Sequence, residues 1–169
     1  MTDVIDASEA LLAELKGMVG KEMIVTAPEP VGPAFIRQFA LAIEDDNPIY
    51  HDEEYAKGTG YGGVIAPPTY ICETMQYLVG EVDEAGGPAR RFRLPVGTEI
   101  RGGNEYEFFQ PFRPDDIQTA HWKVADVYEK QGKSGRLFFL VYEIRYTNQR
   151  DELLAVNHEW LVFAPPHDR

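Results

Sequence analysis

The spacing of apolar residues changes along the chain from a helical period to a strand-like period. Early in the chain they recur every three or four positions, which is typical of amphipathic helices. The predicted helices cover about 8–19, 33–44 and 67–80. Later they alternate with polar residues or form short apolar runs, which indicates strands. The predicted strands cover 22–26, 105–108, 119–127, 137–146 and 153–163. Helices followed by a run of strands favour the α+β class.

The ends and faces of these elements also follow from the sequence. Ser8 is the predicted N-cap of the first helix and Gly20 its stop, while Pro33 suits the first turn of the second helix. The predicted buried positions are Leu11, Leu12, Leu15 and Val19 in the first helix and Phe35, Phe39, Ala42 and Ile43 in the second. The third helix carries few charges, which predicts burial. Hairpin connections over 130–135 and 148–151 predict an antiparallel meander of the last three strands.

Composition narrows the class of protein. The 169 residues, 44% of them hydrophobic, suffice for one folded domain. A net charge of −12 opposes nonspecific binding to nucleic acid, whose phosphates are held by clustered Lys and Arg. The only cysteine, Cys72, permits no internal disulfide and no cysteine-based zinc site. No apolar run approaches the roughly 18–20 residues that span a bilayer, and early acids replace the basic start of a secretory signal. We therefore expect a cytoplasmic protein.

Several segments together resemble one enzyme family. Residues 40–52, which include Asp45-Asp46-Asn47-Pro48-Ile49-Tyr50-His51, and residues 62–70 resemble the signature of the MaoC-like dehydratases and (R)-specific enoyl-CoA hydratases. Residues 104–108, 111–115 and 146–149 are similar to the branch of N-terminal dehydratase domains and HadA-type subunits. The likeness extends from about residue 20 to residue 163.

The resemblance implies a single hotdog fold, in which a long antiparallel sheet wraps one central helix. The hotdog domain would span 1–169 with its core over about 20–164, and the helix predicted over 67–80 would be the central one. In the family, two hotdogs pair and hydrate a trans-2-enoyl thioester of coenzyme A or acyl carrier protein. The reaction is reversible. It uses no separate cofactor, and a second hotdog subunit is the implied partner.

The same resemblance implies the site residues and two departures from the family pattern. Catalytic members activate water with the Asp and His of Asp-x-Asn-Pro-x-His, which makes Asp45 and His51 the catalytic candidates and Asn47 a substrate-binding candidate. However, Tyr50 occupies the position of the His, and His51 follows one residue late. A one-residue shift changes the direction of a side chain. Tyr50 is accordingly assigned to substrate binding.

The second departure concerns the start of the central helix. There, catalytic members polarise the thioester carbonyl with the backbone N–H of a glycine that follows a His. Here the aligned positions are Pro67 and Pro68, and proline has no N–H. Losing one oxyanion donor costs about 2.7–4 kcal/mol. Ala66, Pro68 and Thr69 are therefore predicted to bind substrate, with the Thr69 N–H as the nearest substitute donor.

Charged residues cluster at two further places in the sequence. Arg90 and Arg91, with two more arginines nearby, form either a solvated face or a site for the coenzyme A phosphates, for which the forked donors of Arg are suited. Asp45, His51 and Asp52 match no familiar metal motif, so no metal is expected.

These observations leave three hypotheses for function. The first is the substrate-binding half of a hetero-oligomeric enoyl-thioester hydratase or 3-hydroxyacyl-thioester dehydratase. The second is a self-sufficient homodimeric enoyl-CoA hydratase that uses Asp45 and His51. The third is a non-catalytic acyl-CoA-binding module.

Overall fold

The computed structural model describes residues 2–72, 92, 94, 98–133 and 135–164, which form three α-helices and five β-strands. The helices are α1 (Thr2–Lys16), α2 (Pro33–Ala42) and α3 (Glu53–Lys57), and short 3-10 turns cover Pro48–Tyr50 and Pro68–Cys72. The strands are β1 (Glu22–Thr26), β2 (Thr98–Phe108), β3 (Thr119–Gly132), β4 (Gly135–Thr147) and β5 (Leu153–Ala164).

All described strands belong to one antiparallel sheet in the order β1-β3-β4-β5-β2. The predicted meander of β3, β4 and β5 is confirmed. The β3–β4 hairpin is longer than predicted, since pairing continues to Gly132 opposite Gly135. Tyr128 stacks on Phe139 across it at 5.0 Å between ring centroids, a cross-strand contact that a single-strand pattern does not reveal. The sheet leaves β1 and β2 at its two ends.

The core lies against one face of the sheet. Phe138, Leu140 and Ile144 from β4 and Phe163 from β5 are fully buried there. Gly102 allows β2 to approach β5 closely, because a Cβ at this position would lie 2.7 Å from the Val162 side chain. The register of β2 shifts at this glycine, which marks a bulge.

Helix α1 packs through Leu11, Leu12 and Leu15, as predicted, but its ends differ from the prediction. It begins at Thr2 rather than at about residue 8, because no glycine or proline interrupts the residues before Ser8. Ser8 is therefore a buried interior residue and not the N-cap. The helix ends at Lys16, and the following turn buries Met18 and leaves Val19 exposed.

Helix α2 begins at Pro33 as predicted, but it buries a different face. Ile36 and Ala40 are buried, whereas Phe35 and Ile43 are 49% and 45% exposed. The sequence offers two apolar stripes, one beginning at Phe35 and the other at Ile36. Stripes one residue apart face directions that differ by about 100° around the helix axis. Periodicity alone therefore could not choose between them.

The predicted central helix opens at the 3-10 turn Pro68–Cys72, where Tyr70 and Ile71 are buried as expected of a central element. Its continuation over 73–80 lies outside the described residues. Within the described part of the chain, no helix has the length and apolarity needed to cross a membrane.

Candidate functional site

The end of helix α2 places Asp45. Glu44 adopts the left-handed conformation with φ 57°, and the Asp45 N–H donates to the Ala40 carbonyl at 2.9 Å. A second bond runs from the Glu44 N–H to the Leu41 carbonyl at 3.1 Å. These two bonds form a Schellman motif, which ends the helix and turns the chain sharply. Asp45 is thus fixed at the third position after the last residue of the helix, Ala42.

Short acidic and amide side chains then shape the loop. The Asp45 carboxylate accepts the Asn47 N–H at 3.2 Å, and the Asn47 side-chain oxygen accepts the Ile49 N–H at 3.1 Å. Pro48 opens the 3-10 turn that follows. Asp52 caps α3 by accepting the Tyr55 N–H at 3.0 Å. Asn47 therefore has a structural role here, in addition to the predicted binding role that no contact in the structure tests.

The loop turns Tyr50 inward and His51 outward. Tyr50 is only 8% exposed, and its hydroxyl hydrogen-bonds with the Asp45 carboxylate. The pKa of Tyr50 is raised above its ordinary value, mainly because the side chain is buried and secondly because the Asp45 charge lies nearby. The phenol therefore stays protonated at neutral pH. The His51 side chain is exposed. The hydrogen-bond partner of Asp45 is therefore Tyr50, the residue aligned with the family His.

The second part of the site is the segment that enters the predicted central helix. The Ile65 N–H donates to the Ile49 carbonyl at 3.4 Å, which joins this segment to the Asp45 loop. Ala66 is 2% exposed, and its N–H donates to the Phe112 carbonyl at 2.7 Å. Pro67 and Pro68 have no N–H to donate. Thr69 is exposed, and no described residue accepts its N–H.

An apolar pocket of about 200 Å³ lies beside this segment. One wall comes from the helix entry and the other from the end of β2 and the residues that follow it. The lining residues are Tyr61, Ile65, Ala66, Pro68, Ile71, Phe108, Phe109, Gln110, Pro111 and Phe112. Such a surface suits a hydrocarbon chain. The exposed Thr69 directly follows the lining residue Pro68 in the sequence.

An ionic cluster around the buried Asp116 holds the second wall of the pocket. The Asp116 carboxylate is fully buried and accepts from the Arg113 N–H at 2.8 Å, from Asn148 Nδ2 at 3.1 Å and from Arg150 Nη2 at 2.6 Å. The Arg113 guanidinium in turn donates to the Tyr61 carbonyl at 2.8 Å. Asp116 thus ties the β4–β5 turn to both walls of the pocket.

Sequence reasoning did not identify this cluster or the aromatic wall. Segment 111–115 belonged to the family resemblance, and Asp115-Asp116 directly after Pro114 were the available signal. Arg90 and Arg91 lie outside the described residues, so their predicted phosphate contact stays a prediction. Arg101 lies on β2, where its Nε is 3.3 Å from the Glu159 carboxylate. Among the described residues, no group of three or more His, Cys, Asp or Glu is arranged to hold a metal ion.

Comparison with known proteins identifies the family. The model of the FAS1-like dehydratase domain region matches residues 17–157. The chain belongs to this dehydratase family.

Two relatives are alpha subunits of hydratases. The 3-oxo-4,17-pregnadiene-20-carboxyl-CoA hydratase alpha subunit of Mycobacterium tuberculosis is 39% identical over 98% of this chain and 54% of its own length. The probable enoyl-CoA hydratase alpha subunit of Thermomonospora curvata is 30% identical over 82% of this chain and 46% of its own length. The chain thus spans about half of each.

Solved structures support the same family and the hotdog fold. The MaoC-like dehydratase of Rhodospirillum rubrum is 27% identical with a TM-score of 0.63, covering 88% of this chain and 94% of that chain. A chain of the HadBC 3R-hydroxyacyl-ACP dehydratase complex of M. tuberculosis is 25% identical with a TM-score of 0.63. The match covers 86% of this chain and 96% of that chain. A chain of the ChsH1–ChsH2 complex of M. tuberculosis shares the fold with a TM-score of 0.73 at 24% identity. The match covers 98% of this chain and 95% of that chain.

These comparisons confirm the predicted MaoC-like membership and the α+β hotdog fold of this dehydratase-family chain. HadBC and ChsH1–ChsH2 are complexes of hotdog subunits.

Proposed function

We propose that this chain is the substrate-binding subunit of a hetero-oligomeric enoyl-thioester hydratase or 3-hydroxyacyl-thioester dehydratase. Its acyl-thioester substrate would lie against the apolar pocket, with the thioester near Thr69. The carrier would be coenzyme A or acyl carrier protein. The Asp and His that activate water would come from a second hotdog subunit. A cytoplasmic location stays part of this proposal.

One observation carries the proposal: the helix entry offers no N–H before Thr69. The Ala66 N–H is bound to the Phe112 carbonyl, and the next two residues are prolines. A reaction that places negative charge on the thioester oxygen needs a donor directed at that oxygen. In this chain the nearest donor lies one residue beyond the position of the family glycine.

The Asp45–Tyr50 pair supports the same conclusion. Activation of water requires a group that can accept its proton at neutral pH. The Tyr50 phenol is protonated and gives its hydrogen to Asp45, so its oxygen can only accept a hydrogen bond from a substrate hydroxyl or water. The pair can therefore hold a 3-hydroxy group or its water, and in this proposal the Asp and His of the second subunit perform the proton transfer.

The decisive experiment measures hydration of crotonyl-CoA by the purified chain alone, by its His51→Ala variant and by the chain co-expressed with a hotdog subunit that carries an intact Asp-x-Asn-Pro-x-His motif. Activity only in the co-expressed complex is the expected result. Turnover at ordinary enzymatic rates by the chain alone, lost in His51→Ala, would establish instead the homodimeric enzyme.

The acyl-CoA-binding module is distinguished by isotope exchange. A hydratase complex that runs in reverse incorporates solvent deuterium at the α-carbon of a 3-hydroxyacyl-CoA. Binding of acyl-CoA by the co-expressed complex without deuterium incorporation would favour a sensor or scaffold over an enzyme.

A further inference from the structure

Tyr61 brings a polar group to the lining of the otherwise apolar pocket. Its side chain lines the pocket together with Ala66 and Pro68 and is 47% exposed. Among the residues that the structure describes, none forms a hydrogen bond with its hydroxyl. A phenol in such a place offers an O–H donor to a ligand whose apolar part lies in the pocket.

The backbone of Tyr61 is held on both sides of the ring. Its N–H donates to Thr59 Oγ1 at 3.3 Å, and this threonine hydroxyl donates to the Ala56 carbonyl at 2.6 Å. The Tyr61 carbonyl accepts Arg113 Nη2 at 2.8 Å. A turn is closed by the Gly62 N–H, which donates to the Thr59 carbonyl at 3.2 Å. The ring therefore projects from a fixed turn, as expected of a preorganised donor.

The Tyr61 ring connects the pocket with the Asp45–Tyr50 pair. Burial is the largest cause of the raised pKa of Tyr50, Asp45 follows, and the Tyr61 phenol makes a smaller contribution. The two phenols therefore lie within electrostatic range of each other. In a 3-hydroxyacyl thioester, the α-carbon alone separates the hydroxyl-bearing carbon from the thioester carbonyl. A substrate whose 3-hydroxy group is held at Tyr50 brings this carbonyl towards Tyr61.

Other donors at the helix entry are scarce. The Ala66 N–H is bound to the Phe112 carbonyl, and two prolines follow. Thr69 can supply a backbone donor, but it is not among the residues that line the pocket. Gln110 does line it, on the wall that follows β2. Tyr61 is thus the side-chain donor on the wall that leads to the Asp45 loop.

We propose that the Tyr61 hydroxyl donates a hydrogen bond to the thioester carbonyl oxygen of an acyl group in the pocket, in place of the glycine N–H that this chain lacks. That the ligand is an acyl thioester rests on the proposed function. The Asp116 cluster then serves binding as well as stability, because Arg113 holds the turn that carries Tyr61.

Two ligands that differ only at the carbonyl test this proposal. Butyryl-CoA has the thioester, whereas the thioether S-butyl-CoA has the same hydrocarbon chain and nucleotide without the carbonyl oxygen. Tyr61→Phe removes the hydroxyl and keeps the ring. Calorimetry on the purified full chain should show about fivefold weaker binding of butyryl-CoA to the variant and unchanged binding of S-butyl-CoA.

Two control variants separate this effect from the loss of any polar group. Tyr55→Phe removes the hydroxyl of a tyrosine on α3 that is 52% exposed and does not line the pocket. Gln110→Leu removes the amide on the opposite wall. Both variants should bind the two ligands with the wild-type ratio of affinities. The urea midpoint of Tyr61→Phe should equal that of wild type, since no described residue loses a hydrogen bond.

Infrared spectroscopy reports the hydrogen bond directly. With a carbon-13 label in the butyryl carbonyl, the C=O stretch of the bound ligand can be distinguished from the protein amides. A donor weakens the C=O bond, so this stretch should lie at a lower frequency in wild type than in Tyr61→Phe. A change in the shape of the pocket alone would not move it in this direction.

Three results would overturn the proposal: equal weakening of both ligands by Tyr61→Phe, unchanged binding of butyryl-CoA to this variant, or no binding of either ligand to the wild-type chain. None of them depends on hydration activity. Turnover of crotonyl-CoA by the co-expressed complex together with any of these results would keep the proposed function and reject the role of Tyr61. A selective loss of thioester binding without turnover would do the reverse.

Discussion

Two acidic side chains of the candidate site, Asp116 and Asp45, lie in very different surroundings. Asp116 is fully buried and accepts hydrogen bonds from three groups, one of them the Arg150 guanidinium. Asp45 is half-buried and has one backbone donor and the Tyr50 hydroxyl. A fully buried carboxylate such as Asp116 is out of reach of a ligand, whereas the half-buried Asp45 uses two of its roughly four acceptor positions and can still bind one.

The largest effect is expected from Asp116→Ala. This change leaves the Arg150 charge and the Arg113 and Asn148 donors without their buried acceptor. We expect a loss of about 3 kcal/mol in the free energy of unfolding, measured by urea denaturation. Asp115→Ala is the matched control, since Asp115 is exposed and lies 3.7 Å from the same guanidinium, and it should change stability by less than about 0.5 kcal/mol. Equal losses in both variants would contradict a special role for Asp116.

Tyr50→Phe should separate binding from stability in the Asp45 loop. It removes the hydroxyl that bonds to Asp45 and keeps the buried ring. The free energy of unfolding should fall by about 1 kcal/mol. Binding of 3-hydroxybutyryl-CoA to the complex should weaken about fivefold, while binding of butyryl-CoA, which lacks the hydroxyl, should be unchanged. Equal weakening for both ligands would show that the Tyr50 hydroxyl does not contact the 3-hydroxy group.

The sequence was sufficient for the parts of the fold that local patterns determine. The β3–β4–β5 meander follows from alternation and turn residues, and the start of α2 follows from Pro33. The buried face of α2 did not follow, because Ile36 and Phe35 head equally apolar stripes and tertiary packing makes the choice. In the site, the motif located Asp45 and Tyr50. The role of Asp116 depends on Arg150, 34 positions away, and such a pairing is visible only in three dimensions.

A smaller effect concerns the turn that positions Asp45. Glu44 adopts a left-handed conformation, which costs a non-glycine residue about 1 kcal/mol. Glu44→Gly should therefore stabilise the protein by about 0.5–1 kcal/mol in thermal unfolding, whereas Glu44→Val should destabilise it. If glycine gave no gain, the left-handed turn would not be the source of strain before Asp45.

The smallest effect is expected from Glu152, at the exposed edge of the Asp116 cluster. Hydrogen bonds from Asn148 first, and then from Arg150, lower the pKa of Glu152 below its ordinary value of 4.5. A carboxylate whose pKa is lower in the folded state stabilises the protein fully above the unfolded value, and this stabilisation is lost as the pH falls through the folded value. Wild type should therefore be more stable than Glu152→Gln at pH 7, and the difference should shrink below about pH 4.5.

Urea denaturation at a series of pH values measures this difference, and Glu54→Gln, exposed on α3 and distant in sequence, is the control. A constant difference from pH 7 to pH 3 would mean that Glu152 contributes through packing and not through its charge. The cluster would then depend on the buried Asp116 alone, and its contrast with the Asp45 loop would be one of burial rather than of charge pairing.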